Sequence, residues 1–180
     1  VLNNPEWEIH AFEPNPSINL NLENISNAKF YQKAIWHEDT TIKFRRSTRV
    51  YNYTPRLDSF GNASSPGDLT SVGCHVDLEE IKPENAVPDV ADVVEVPAID
   101  FANFLKKFSG WDYDQVVVKM DIEGCEYKVL RHLLNTGTAE IIDILIVETH
   151  ERFVDSEDKE STNALLDELR SKEIDVEKHH

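Results

Sequence analysis

Glycine and cysteine are scarce in this 180-residue sequence, cations are outnumbered, and no long apolar run occurs. Only six glycines are present, and none precedes Gly61. Two cysteines, Cys74 and Cys125, cannot build a disulfide framework, and their spacing matches no zinc pattern. Cys125 follows Gly124 inside a helical pattern, where a small buried thiol is expected. This usage fits a reducing compartment, and a cytoplasmic location is expected. With 18 Lys and Arg against 34 Asp and Glu, the formal net charge is −16. So negative a surface repels phosphate backbones and anionic lipids, which argues against nucleic acid or a membrane surface as partner. No stretch approaches the roughly 18–20 apolar residues of a membrane span. No basic, apolar and small-residue leader is evident either. Val1 to Asn4 reads as the tail of an earlier helix before a turn, and His179-His180 as a tag remnant.

What is present suits one soluble domain with its own core: 40% apolar and 29% charged residues. Trp7 to Phe12 reads as a short strand that Pro14 and Pro16 bring out of its sheet. Ser17 to Asn24 suits a short helix. A strand over Ala28 to Trp36 and another over Thr40 to Arg45 suggest a hairpin about His37-Glu38-Asp39. Residues 47–92 read as an irregular insertion or lid, rich in Gly, Pro, Ser and Asn, and mobile by composition. A strand resumes at Val93 to Val96, and Asp100 is a fitting N-cap for a helix carrying Phe101, Phe104, Leu105 and Phe108. Gln115 to Met120, with three successive valines, resembles a strand buried on both faces. Tyr127, Leu130 and Leu134 then recur at helical spacing, as do Val129 and Leu133. Further strands fit Ile141 to Val147 and Ile174 to Val176, with a helix over Ser161 to Ser171 between them. Strands alternating with helices imply a parallel α/β sheet in a single domain spanning 1–180.

Ligands of open parallel sheets bind beyond the carboxyl ends of the strands, and three such ends here are acidic. In Phe12-Glu13-Pro14-Asn15, Glu13 can accept hydrogen bonds from the ribose hydroxyls of a nucleoside cofactor, or simply cap the turn. In Lys119-Met120-Asp121-Ile122-Glu123-Gly124-Cys125-Glu126, Asp121 and Glu123 can face one crevice, or form a capping cluster with Lys119 as counter-charge. Lys119 can also contact substrate, and Glu126 opens the next helix, where negative charge suits the dipole. In Val147-Glu148-Thr149-His150, adjacent pairing would bring Glu148 and His150 toward Asp121 and Glu123. That set can hold a divalent cation, supply a general base, or leave His150 merely hydrogen-bonded.

Taken together, these three blocks, Lys33-Ala34-Ile35 and Val96-Pro97-Ala98-Ile99-Asp100-Phe101 resemble the FkbM methyltransferase family over most of residues 8–152 outside the 47–92 insertion. The resemblance implies a Rossmann-like class I methyltransferase sheet, S-adenosylmethionine as methyl donor, and O-methylation of a sugar or secondary-metabolite hydroxyl. By that analogy Glu13 takes the ribose hydroxyls, with Asn15 and Asp121 also on the cofactor side, residues around Lys33 and Ala34 border its adenine, and Asp121 and Glu123 face the donor and acceptor. Asp121, Glu123, His150 and Lys119 are the catalytic candidates, and Asp121, Glu123 and His150 also the candidate metal ligands. The family pattern opens with a strand and a glycine-rich turn that have no counterpart before Gly61. The expectation is therefore a sheet incomplete at its N-terminal and C-terminal ends. The missing strand would lie between those ending at Glu13 and Asp121, leaving these two to pair directly or to take a segment from a second copy. A non-catalytic α/β binding module and a metal-dependent hydrolase are the alternatives.

Overall fold

The computed structural model describes residues 6–16, 18, 26–47, 75–76, 90–110, 113–151, 154 and 156–179. The helix expected over Ser17 to Asn24, most of the 47–92 insertion and Cys74 lie outside the described residues. What is described is a mixed α/β architecture of three sheets and three α-helices.

The first sheet is a parallel pair, β1 (Ile9–Phe12) with β2 (Ala28–Tyr31). The second has the order β3-β6-β4-β5, from β3 (Ala34–Trp36), β4 (Thr40–Ser47), β5 (His75–Val76) and β6 (Val90–Asp100). The third is the parallel β7 (Val117–Met120), β8 (Ile144–Glu148) and β9 (Asp175–His179), in that order.

The expected hairpin about residues 37–39 does not form. β6 lies between β3 and β4, parallel to the first and antiparallel to the second. At 11 residues it is long enough to pair with both, and the Asp39 carboxylate accepts the Asp100 N–H at 3.1 Å, tying the turn to the end of β6. β3 pairs only from Ala98 onward, so one edge of β6 is unpaired at Pro97, where a residue without an N–H is tolerated. The 47–92 insertion is not wholly irregular, since β5 returns from it to pair with β4.

Asp100 does cap α1 (Phe101–Leu105), accepting the Asn103 N–H at 3.1 Å. Phe108 falls in the 3₁₀ turn that follows. α2 (Glu126–Asn135) buries Tyr127, Val129, Leu130 and Leu133, and Gly137 ends it in the left-handed region at φ 70°. A 3₁₀ turn over Thr138–Ile141 takes in the first residue of the strand expected over Ile141 to Val147, and β8 begins at Ile144. α3 (Lys159–Arg170) opens on a capping box in which Asp158 and Ser161 satisfy each other's backbone N–H.

The main core joins Val118, Met120, Leu145 and Val147 from the third sheet to Leu130 and Leu133 of α2 and Leu166 and Leu169 of α3. A second cluster packs Trp36, Ile42, Phe44 and Val96 around Cys125, which is 1% exposed. Burial of Cys125 agrees with its reading as a small core thiol.

β1 and β7 do not pair, so of the two expected arrangements direct joining is not the one formed; among the described residues each has a partner on one side only. Between them lies a cavity of about 370 Å³. Every residue from Gln115 to Ile122 borders it, on both sides of the pleat, so the cavity runs along the backbone edge of β7. Trp7, Glu8 and His10 to Phe12 border it from β1. At the end where both strands start, the Tyr113 hydroxyl donates to Glu8 Oε2 at 2.9 Å. Phe12 and Tyr31 of the first sheet stack on each other, Phe12 meets Phe104 of α1 edge-on, and these rings with Phe108 pack against the main core that the third sheet also lines.

Candidate functional site

The segment from Met120 to α2 is shaped by its backbone. Glu123 and Gly124 take φ of 54° and 98°, two left-handed residues in succession. Such a conformation strains a residue with a Cβ and is kept only where its surroundings hold it. Here the Glu126 carboxylate does so: Oε1 accepts the Ile122 N–H and Oε2 the Gly124 N–H, each at 2.8 Å. As the first residue of α2, Glu126 also sits where the helix dipole favours an anion.

His150 follows β8 and is 4% exposed. Its Nδ1 lies 3.0 Å from Glu126 Oε1. Its Nε2 faces three more carboxylates: Glu123 at 3.6 Å, Glu148 at 3.7 Å and Asp121 at 4.0 Å. Sequence reasoning placed Asp121, Glu123, Glu148 and His150 in one crevice, and the fold brings them together there, because β7 and β8 are parallel neighbours. Ligand atoms of Asp121, Glu123 and His150 all lie within 4.8 Å of one another.

Burial pulls the His150 imidazole down, but its bond to Glu126 and the charges of Glu126, Glu123 and Asp121 outweigh this and raise its pKa above the ordinary histidine value. Burial raises the Glu123 carboxyl, and neighbouring anions add to the rise against the opposing pull of His150. Both shifts favour protons on the His150–Glu123 pair relative to the free side chains.

Glu13 stands apart at the end of β1, half-buried, with Oε1 accepting the Asn15 N–H at 2.7 Å. The capping reading of Glu13 is thus realised by one oxygen, which also holds the side chain in place. Burial raises its pKa against that hydrogen bond. Asn15 is buried, and its carbonyl accepts from Gln32 Nε2 at 2.8 Å. Lys33 is exposed between β2 and β3, and Ala34 is buried at the start of β3. Lys119 is exposed on β7 and forms no ion pair with Asp121 or Glu123 among the described residues, so it is not their counter-charge. It borders the cavity, as does Asp121 at its far end.

Two participants were not legible as such. Glu126 was readable as a helix-start anion, but its contact with His150 spans 24 residues. His10 carried no motif, yet its ring lies against Tyr31, Phe104 and Phe108 beside the cavity.

A parallel sheet whose strand ends carry an acidic, histidine-centred crevice next to a cavity has the layout in which α/β proteins bind their ligands. The chain belongs to the FkbM methyltransferase domain family, whose profile matches residues 1–174, and its domain is a methyltransferase domain. No curated protein and no solved structure matches it. Among the described residues, no helix is long and apolar enough to cross a membrane.

Proposed function

We propose that the domain is a Rossmann-like class I methyltransferase, incomplete as a sheet in these 180 residues, that uses S-adenosylmethionine to methylate a hydroxyl of a sugar or secondary metabolite. The observation that carries this reading is the position of His150, buried, held at Nδ1 by Glu126 and facing Asp121, Glu123 and Glu148 with Nε2. When bound, the cofactor supplies an electrophilic methyl group on a sulfonium. His150 Nε2 would take the proton of the acceptor hydroxyl whose oxygen receives that methyl group, with Asp121, Glu123 and Glu148 facing the same nitrogen. The three carboxylates facing Nε2 stabilise the resulting imidazolium, and general-base assistance of this kind is worth about 10²–10⁴-fold.

The donor set at β1 fits the cofactor's ribose: Glu13 is a half-buried carboxylate whose orientation is set by Asn15. Asn15 supports it, Lys33 and the small Ala34 border the adenine, and Lys119 contacts the acceptor. A small-molecule or glycan acceptor suits the net charge of −16 better than nucleic acid.

The spacing within 4.8 Å also favours a second reading, in which Asp121, Glu123 and His150 hold a divalent cation. Two carboxylates and an imidazole suit magnesium or manganese, which would polarise the acceptor hydroxyl.

His150→Gln in the full-length protein is expected to abolish methyl transfer while S-adenosylhomocysteine still binds in isothermal titration. Full activity in that variant removes the base assignment, and no binding of S-adenosylhomocysteine by the wild type removes the methyltransferase reading in favour of a non-catalytic module or a hydrolase. Activity that survives exhaustive chelation eliminates the cation.

A further inference from the structure

Glu126 is completely buried, yet its carboxylate meets three nitrogen groups: the N–H groups of Ile122 and Gly124, and Nδ1 of His150. Both of its oxygens are therefore committed as acceptors. A nitrogen 3.0 Å from such an oxygen must carry a hydrogen, so the neutral His150 ring is the Nδ1–H tautomer. Its lone pair then lies on Nε2, on the side of Asp121, Glu123 and Glu148. The same carboxylate holds the loop in which Glu123 and Gly124 are left-handed, and so sets where the Glu123 side chain leaves the backbone.

We propose that Glu126 is a positioning residue: it selects the His150 tautomer and, through the 122–124 loop, places Glu123 opposite Nε2. It touches no reacting atom, being enclosed behind His150. The proposal rests on the functional reading only in assigning Nε2 as the working nitrogen. A carboxylate behind a histidine recurs where the ring's other nitrogen must be presented in one protonation state, and loss of such partners typically costs about 10–100-fold in activity or metal affinity. A merely structural Glu126 would fix the loop and leave the tautomer indifferent.

Long-range ¹H–¹⁵N correlation spectra of the full-length protein, recorded above the His150 titration and assigned by loss of the signal in His150→Gln, read the tautomer directly. The wild type is expected to show a pyrrole-type Nδ1 and a pyridine-type Nε2. In Glu126→Ala the preference should disappear or reverse. A wild-type His150 in the Nε2–H form overturns the proposal outright, whether or not the variant folds. A folded Glu126→Ala protein that keeps the Nδ1–H form also overturns it. Failure of the wild type to bind S-adenosylhomocysteine would instead sink the functional reading and leave the tautomer result standing.

Discussion

A buried side chain that titrates reports its surroundings, and two residues near the cavity make this testable. His10 is packed among Tyr31, Phe104 and Phe108, and burial lowers its pKa from 6.5, despite the opposing charge of Glu8 with an oxygen 3.2 Å from Nε2. The folded protein then binds fewer protons here than the unfolded chain, so stability is full above pH 6.5 and falls as the pH drops from there toward the folded value. His10→Gln should therefore show a shallower loss of thermal midpoint just below pH 6.5 than the wild type; parallel profiles would remove His10 from the account. Glu13 is the second. In the full-length protein Glu13→Ala is expected to weaken S-adenosylhomocysteine by about 1.5–3 kcal/mol, the scale of a hydrogen bond to a charged group. An unchanged dissociation constant would remove the ribose assignment and leave Glu13 as a turn cap.

At the scale of elements, the joint between α2 and β8 turns on Gly137. Its φ is +70°, and a Cβ built there meets nothing within 4 Å. Any cost of a side chain is thus backbone strain rather than a clash. Gly137→Ala should destabilise by about 1–2 kcal/mol, the penalty of the left-handed conformation for an L-residue. Gly137→Asn should cost less, because its short polar side chain can bond locally. Urea midpoints at unchanged m-value measure both. If alanine is neutral, the turn relaxes to another conformation. Glu123 occupies the same region of conformational space at φ 54° without being glycine, and there the strain coincides with the crevice that uses its carboxylate.

At the scale of the whole molecule, the cavity between β1 and β7 separates the first sheet from the third. Among the described residues, each of these strands leaves one backbone edge without a strand partner, where a sheet would satisfy the N–H and C=O groups. One extended segment laid between them would join the first and third sheets. For these 180 residues alone, amide exchange should be faster in Ile9–Phe12 and Val117–Met120 than in Ile144–Glu148, which has a partner on each side. Equal protection across β7 and β8 would mean that the edge is covered.

Local chemistry made much of this legible in the sequence. The run from Gln115 to Met120, the 3.6-residue spacing of Tyr127 to Leu134, the Asp100 cap and the acidic strand ends are short-range patterns, and each reappears in the fold. The crevice was legible too, because parallel neighbours in a β-α-β unit bring their carboxyl ends together. Tertiary structure alone decided three things. It inserted β6 between β3 and β4, since strand order depends on pairing partners tens of residues away. It left β1 and β7 apart with a cavity between them, since whether two strands meet depends on the packing of residues about a hundred positions apart. And it set Glu126 behind His150, a contact for which no periodicity exists, because it follows only from docking the start of α2 against the end of β8.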